Sequence, residues 1–239
     1  MQAPSRTLNC YGMSWYGGWT TSNGNSEQIT SAANYLAGGA GRGQRHWIGD
    51  GINNTSGGTR ISFPSTNEFW IRFYVRYQQG FGWNTTTDSI NHKIIYPIAV
   101  SHSGNWYAFG FVENMFGIQT NGNNIKSTTS WSDIFGAQSD GTWHAMEFHV
   151  KANTATGTND GVAEGWLDGV LQFSVQNRNF DPYRAWDYLV IGENHRTPAN
   201  GADMYVDIDD VAISVTGPIG PAGPIDTLAP AAPTNLTVQ

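Results

Sequence analysis

Four side chains on one short segment have the chemistry to hold an acidic sugar. In EFWIRFYVRY, residues 68–77, Trp70, Arg72, Tyr74 and Arg76 recur at every second position. In an extended strand this period puts them on one face, about 7 Å apart. A guanidinium fork pairs with a carboxylate, and an aromatic face stacks on a sugar ring or on the arginine itself. A second reading has the arginine stems covering the aromatics on a solvated face. The alternation leaves both open.

NHKIIYPI reads as another strand, with His92 and Tyr96 on one face and Lys93 opposite. β-Elimination on a uronate needs a cation beside the carboxylate, a base and an acid. Arg72 or Arg76, His92 and Tyr96 fill those roles if the two strands are neighbours, although Pro97 points to an edge or a bulge. In WHAMEFHVKA, Glu147 and His149 share the polar face with Trp143 and Lys151, as an acid/base pair or as cross-strand partners. Glu193 to Arg196 end a strand at a Gly/Pro/Asn loop. In VDIDDV, Asp207 and Asp209 share a face and Asp210 takes the other. Bunched carboxylates attract Ca²⁺, with Asp209 and Asp210 as the expected ligands and carbonyls of the N-terminal loops as co-ligands.

The elements that must position these groups are strands. TRISFP, EFWIRFYVRY, HKIIYPIAV, NWYAFGFVEN, MFGIQTNG, WHAMEFHVKA, GVAEGWLDGVLQFSV, DYLVIGENH and DMYVDIDDVAISV are separated by Gly/Asn/Asp turns. This pattern predicts an all-β, two-sheet antiparallel sandwich. Asp168-Gly169 is expected to close a tight hairpin. Residues 1–60 read as loops and short strands, with one helical turn at Ser26–Leu36. GAGRGQ lacks the Lys-Ser/Thr of a phosphate loop and reads as a turn.

Of the 239 residues only 13% are charged, about half the usual share. Asn, Thr, Ser and Gln solvate the surface instead, as in many secreted β proteins. The net charge of −7 argues against a nucleic-acid partner. Cys10 is the single cysteine, so neither an intrachain disulfide nor a thiolate metal cluster forms. No run of about 18 apolar residues predicts a membrane span.

The segments GTWHAMEFHVKAN, DGVAEGWLDGVLQFSV, YLVIGE and DMYVDIDDVAIS resemble the second half of a concanavalin A-like jelly roll. The resemblance is closest to polysaccharide-lyase-like and laminin-G-like domains and spans roughly residues 25–215. It implies two sheets, one concave and holding a glycan in a groove, and often a structural calcium. The Glu-x-Asp-x-x-Glu strand of jelly-roll glucanases is absent. The alginate-lyase strands have only loose counterparts in WIRFYVR and NHKIIY.

Residues 1–215 are therefore expected to form an extracellular jelly roll. Residues 216–239 form a Pro/Gly-rich linker, and DTLAPAAPTNLTVQ resembles the start of a fibronectin type III module in a longer protein. The leading expectation is recognition of an acidic polysaccharide by a concave Trp70/Arg72/Tyr74/Arg76 face, with Glu147 and His149 at its side. The alternatives are a uronate lyase using His92, Tyr96 and Arg72, and a structural module of a surface appendage that self-assembles through its tail.

Overall fold

The computed structural model describes residues 12–16, 27–35, 41–48, 58–83, 92–98, 108–120, 124–180, 185–194 and 204–221. They form fourteen strands: β1 (Gly12–Tyr16), β2 (Glu27–Thr30), β3 (Gly43–Trp47), β4 (Gly58–Thr66), β5 (Glu68–Tyr77), β6 (His92–Ile98), β7 (Ala108–Val112), β8 (Met115–Gln119), β9 (Ile125–Ser130), β10 (His144–Lys151), β11 (Gly161–Leu167), β12 (Val170–Arg178), β13 (Trp186–Asn194) and β14 (Tyr205–Ser214). Sheet I has the order β1-β4-β13-β6-β7-β8-β9, and sheet II the order β12-β11-β10-β5-β14-β3-β2. All the pairings are antiparallel.

The core lies between the sheets and is dominated by aromatic side chains. The inward half of β5, Phe69, Ile71, Phe73, Val75 and Tyr77, is fully buried. Phe148 of β10 stacks on Phe109 of β7 at 4.8 Å, and Phe69 meets Trp186 of β13 edge-on at 5.4 Å. Each such ring contributes roughly 1.5–3 kcal/mol by burial alone. Gly192 marks the closest approach of the layers. A Cβ there would sit 1.8 Å from Cε1 of the fully buried His46 imidazole, so no side chain fits.

Turn chemistry follows the sequence. Asp168 (φ 50°) and Gly169 (φ 81°) close the β11–β12 hairpin with the left-handed pair such a turn requires. The Asp168 carboxylate accepts from Ala145 N and pairs with His144, tying the turn to β10. The helical turn expected within Ser26–Leu36 is the 3-10 turn Ser31–Ala33, which follows the short strand β2. One departure occurs. A short helix, α1 (Trp131–Phe135), forms in SWSDIF, where Ser130 and Asp133 make a capping box and Trp131 and Phe135 anchor in the core.

Candidate functional site

The stripe lies on the outer face of sheet II, at its centre. Register with β10 and β14 arranges that face in rows. One row runs Ser174, Glu164, His149, Trp70, Ser214. The next runs Trp166, Glu147, Arg72, Ala212. A third joins Ala145, Tyr74 and Asp209, and a fourth continues from Arg76 through Asp207 to Arg45 of β3.

The middle of this face is covered by the chain itself. Tyr35, just after the 3-10 turn, stacks on Tyr74 at 3.7 Å, with Trp143 edge-on to Tyr35 at 5.8 Å. Residues 217–221 lie over the second row. The Glu147 carboxylate accepts from Ile219 N (2.7 Å) and Gly220 N (2.9 Å), and Arg72 donates to the Gly220 carbonyl. Arg72, Tyr74, Glu147 and His149 are each less than 10% exposed.

The charges on this face are matched in place. Asp207, wholly buried, receives Nε (2.7 Å) and Nη2 (3.0 Å) of Arg45 on its two oxygens, and Nε (3.2 Å) and Nη2 of Arg76 on Oδ2. The Arg76 guanidinium also covers Trp143 at 4.6 Å, and that of Arg45 lies 3.4 Å over Tyr205. Arg72 pairs with Asp210 at 2.8 Å. His149 stacks on Trp70 at 4.1 Å with its ring nitrogens on Glu164 and Glu68. The stripe's charged groups thus have partners within the chain, with Trp70 and Arg76 partly exposed. They form a set of internal partners between sheet II and the segments packed on it.

The proposed elimination residues are not brought together. β5 and β6 belong to different sheets. A bulge between Lys93 and Ile95 inserts one residue and reverses the alternation within β6. His92 therefore points into the core, edge-on to Tyr77, Trp83 and Phe111. Tyr96 emerges on the outer face of sheet I with Lys93, whose Nζ lies 5.8 Å from the ring. Arg72, His92 and Tyr96 occupy three separate layers.

The outer face of sheet I carries features the sequence reading passed over. Tyr96, Ala108 and Val190 form a small second cluster with Tyr188 packed at its margin. Across β6 to β9 the register runs Lys93, Gly110, Gly117, Lys126. A Cβ at Gly110 would lie 2.3 Å from the His92 carbonyl, and one at Gly117 2.2 Å from that of Ile125. The bulged backbone thus forces a floor without side chains, with a lysine on each side. Arg60 is in register with Val190, which pairs with Tyr96. The available signal was the glycine at alternate positions of FGF and FGI.

The aspartates of β14 were expected to bind calcium. A second bulge, with Asp210 at φ 46°, moves Asp210 from the opposite face to Arg72. Asp209 accepts from Tyr35 N at 2.7 Å. Burial holds its carboxyl above the ordinary range, against the lowering effect of that hydrogen bond. With Asp207 and Asp210 engaged by arginines, the donor set does not fit a calcium cage. Among the described residues no three His, Cys, Asp or Glu side chains cluster to hold an ion. The N-terminal carbonyls expected as co-ligands lie largely outside the described residues, as do Cys10, the side chains of Glu193 to Arg196 and residues 222–239. No described helix is long and apolar enough to cross a membrane.

Two antiparallel seven-stranded sheets enclosing an aromatic core make a jelly-roll sandwich, and solved structures share this fold. An alginate lyase in complex with an alginate trisaccharide is similar over 86% of this chain and 88% of its own, at a TM-score of 0.52 and 14% identity. A cellulose-induced protein matches 82% of this chain and 89% of its own, at 0.52 and 15%. An endo-β-1,4-glucuronan lyase from the fungus Trichoderma reesei matches 80% and 88%, at 0.52 and 16%. No protein-family model and no curated protein sequence matches the chain.

Proposed function

We propose that the protein is an extracellular polysaccharide-recognition module and that the outer face of sheet I, rather than the Arg/aromatic stripe, takes an acidic glycan. The observation that carries this is the contrast between the two faces. On sheet II the chain's own Tyr35 and residues 217–221 fill the place of a ligand, and each arginine of the stripe has a carboxylate. On sheet I a side-chain-free floor at Gly110 and Gly117 lies between Lys93 and Lys126, the latter paired with the exposed Glu113, beside the buried Tyr96 and the half-buried Tyr188. An extended sugar chain needs a smooth track, an ammonium for its carboxylates and an aromatic ring for its apolar face. Jelly-roll neighbours named for alginate and glucuronan support an acidic polysaccharide as the ligand class.

Affinity electrophoresis in alginate, in glucuronan and in a neutral β-glucan tests the reading. Retardation by the acidic polymers is expected, weakened about tenfold or more in Lys93→Ala and Tyr188→Ala, as loss of a charged or stacking contact implies. Retardation unchanged in both variants, or lost instead in a folded Arg76→Ala, overturns the assignment.

A second reading, uronate lyase, draws on the neighbouring lyases and on the Lys93–Tyr96 pair, a cation beside a phenol. Incubation with the same polymers and observation of ultraviolet absorbance from an unsaturated product decides between binding and cleavage.

A further inference from the structure

We propose that Glu147 and Arg72 form a backbone-reading clasp for a turned Gly-Pro-Xaa segment, supplied here by residues 217–221 of the same chain. The two side chains are cross-strand partners on β10 and β5. Glu147 accepts from two successive amides, Ile219 N and Gly220 N, and Arg72 donates to the carbonyl that follows, that of Gly220. Both polarities of one stretch of main chain are satisfied, and none of these bonds involves a side chain of the segment. A buried carboxylate holding two consecutive N–H groups is a receptor for a turned stretch of backbone, here with Gly220 at φ 70°, that is not proline at those two positions. The sequence TGPIGP meets the rule: Pro218 and Pro221 flank the two donors, and neither falls on them. The prolines also restrict the free segment, which lowers the entropy lost on docking. Pro221 packs against the β11–β12 turn, within ordinary van der Waals distance of where a Cβ on Gly169 would stand. Asp210 completes the clasp by fixing Arg72 from the other side. In this arrangement residues 217–221 are held against the outer face of sheet II.

Amide hydrogen exchange on the full chain, read residue by residue by NMR, tests the clasp. The Ile219 and Gly220 amides are expected to be protected by about tenfold or more over free-peptide rates, as for hydrogen-bonded amides of limited local stability. Glu147→Gln removes the charge and should reduce protection at both. Ile219→Pro deletes one donor without touching the sheet and should expose Gly220 while the β10 amides stay protected. Free-peptide exchange at 219 and 220 in the wild-type chain overturns the proposal, as does unchanged Gly220 protection in Ile219→Pro. Protection that vanishes on dilution would mean that a second copy supplies the strap, and would overturn the intrachain assignment.

Discussion

Asp207→Asn is the sharpest probe of the sheet II face. The carboxylate is inaccessible to solvent and holds two guanidiniums, whose own side chains are 13% and 23% exposed. At an effective dielectric near 20, a close ion pair is worth roughly 4 kcal/mol before desolvation is counted. Removing one partner of a buried pair costs about 3–5 kcal/mol, because the other charge is left without compensation. Here the guanidiniums keep some access to water and asparagine keeps one acceptor, so the lower end, about 3 kcal/mol, is expected. For a domain of this size that is a fall in Tm of roughly 6–12 °C. Urea unfolding followed by tryptophan fluorescence measures it. Adding Arg76→Gln in the same background should recover about 1 kcal/mol or more, since the guanidiniums then no longer repel. A loss below about 1 kcal/mol, typical of exposed bridges, with no recovery in the double variant, would refute the idea that Asp207 is the anchor of this face.

Gly192→Ala should destabilise by about 3 kcal/mol or more, or abolish folding, because its Cβ collides with His46 and φ is 88°. His46→Ala in the same chain should restore part of the loss in thermal melts. Asp209→Asn keeps an acceptor for Tyr35 N and removes the cost of a buried charge. A carboxyl whose folded-state pKa is raised favours folding most at low pH and loses that contribution as pH rises through the folded value. The variant should therefore melt higher than wild type at neutral pH and match it in acid. If instead calcium raises the melting temperature of wild type but not of Asp209→Asn, the calcium ligand expected from VDIDDV is real and the desolvation argument fails.

The strand content and the inward face of β5 were legible because both depend on local alternation. Phe69 to Val75 stand in the core where a period of two puts them, and Asp168-Gly169 turns where its dipeptide predicts. The site was less legible, for two physical reasons. Bulges shift parity: one extra residue in β6 separates His92 from Tyr96, and one in β14 carries Asp210 over to Arg72. No residue type in HKIIYPI announces the inserted position. The second reason is distance along the chain. Arg72 meets a carbonyl 148 residues away, and Asp209 an amide 174 residues away. A periodic stripe reports which residues share a face and is silent on what lies over it. Arg45 could have been found from GQRHW, where Gln44 and His46 are buried and Arg45 and Trp47 turn outward.

Charge explains why the two faces differ in what they offer. The chain has 12 basic residues against 19 acidic ones. Net repulsion of a polyanion is largely screened beyond about 8 Å at physiological salt, so binding is decided by the groups it touches. On sheet II the three guanidiniums of the face are spent on Asp207 and Asp210, and an arriving carboxylate would have to displace a buried one already bonded to arginine. On sheet I the ammonium of Lys93 lies over an aromatic ring beside bare backbone. Contact there meets no side chain at Gly110 or Gly117, and Lys126 at the far side of the floor is paired with the exposed Glu113. The stripe of Trp70, Arg72, Tyr74 and Arg76 is bonded to segments of its own chain, and the glycine-floored face is the one we propose for a charged sugar.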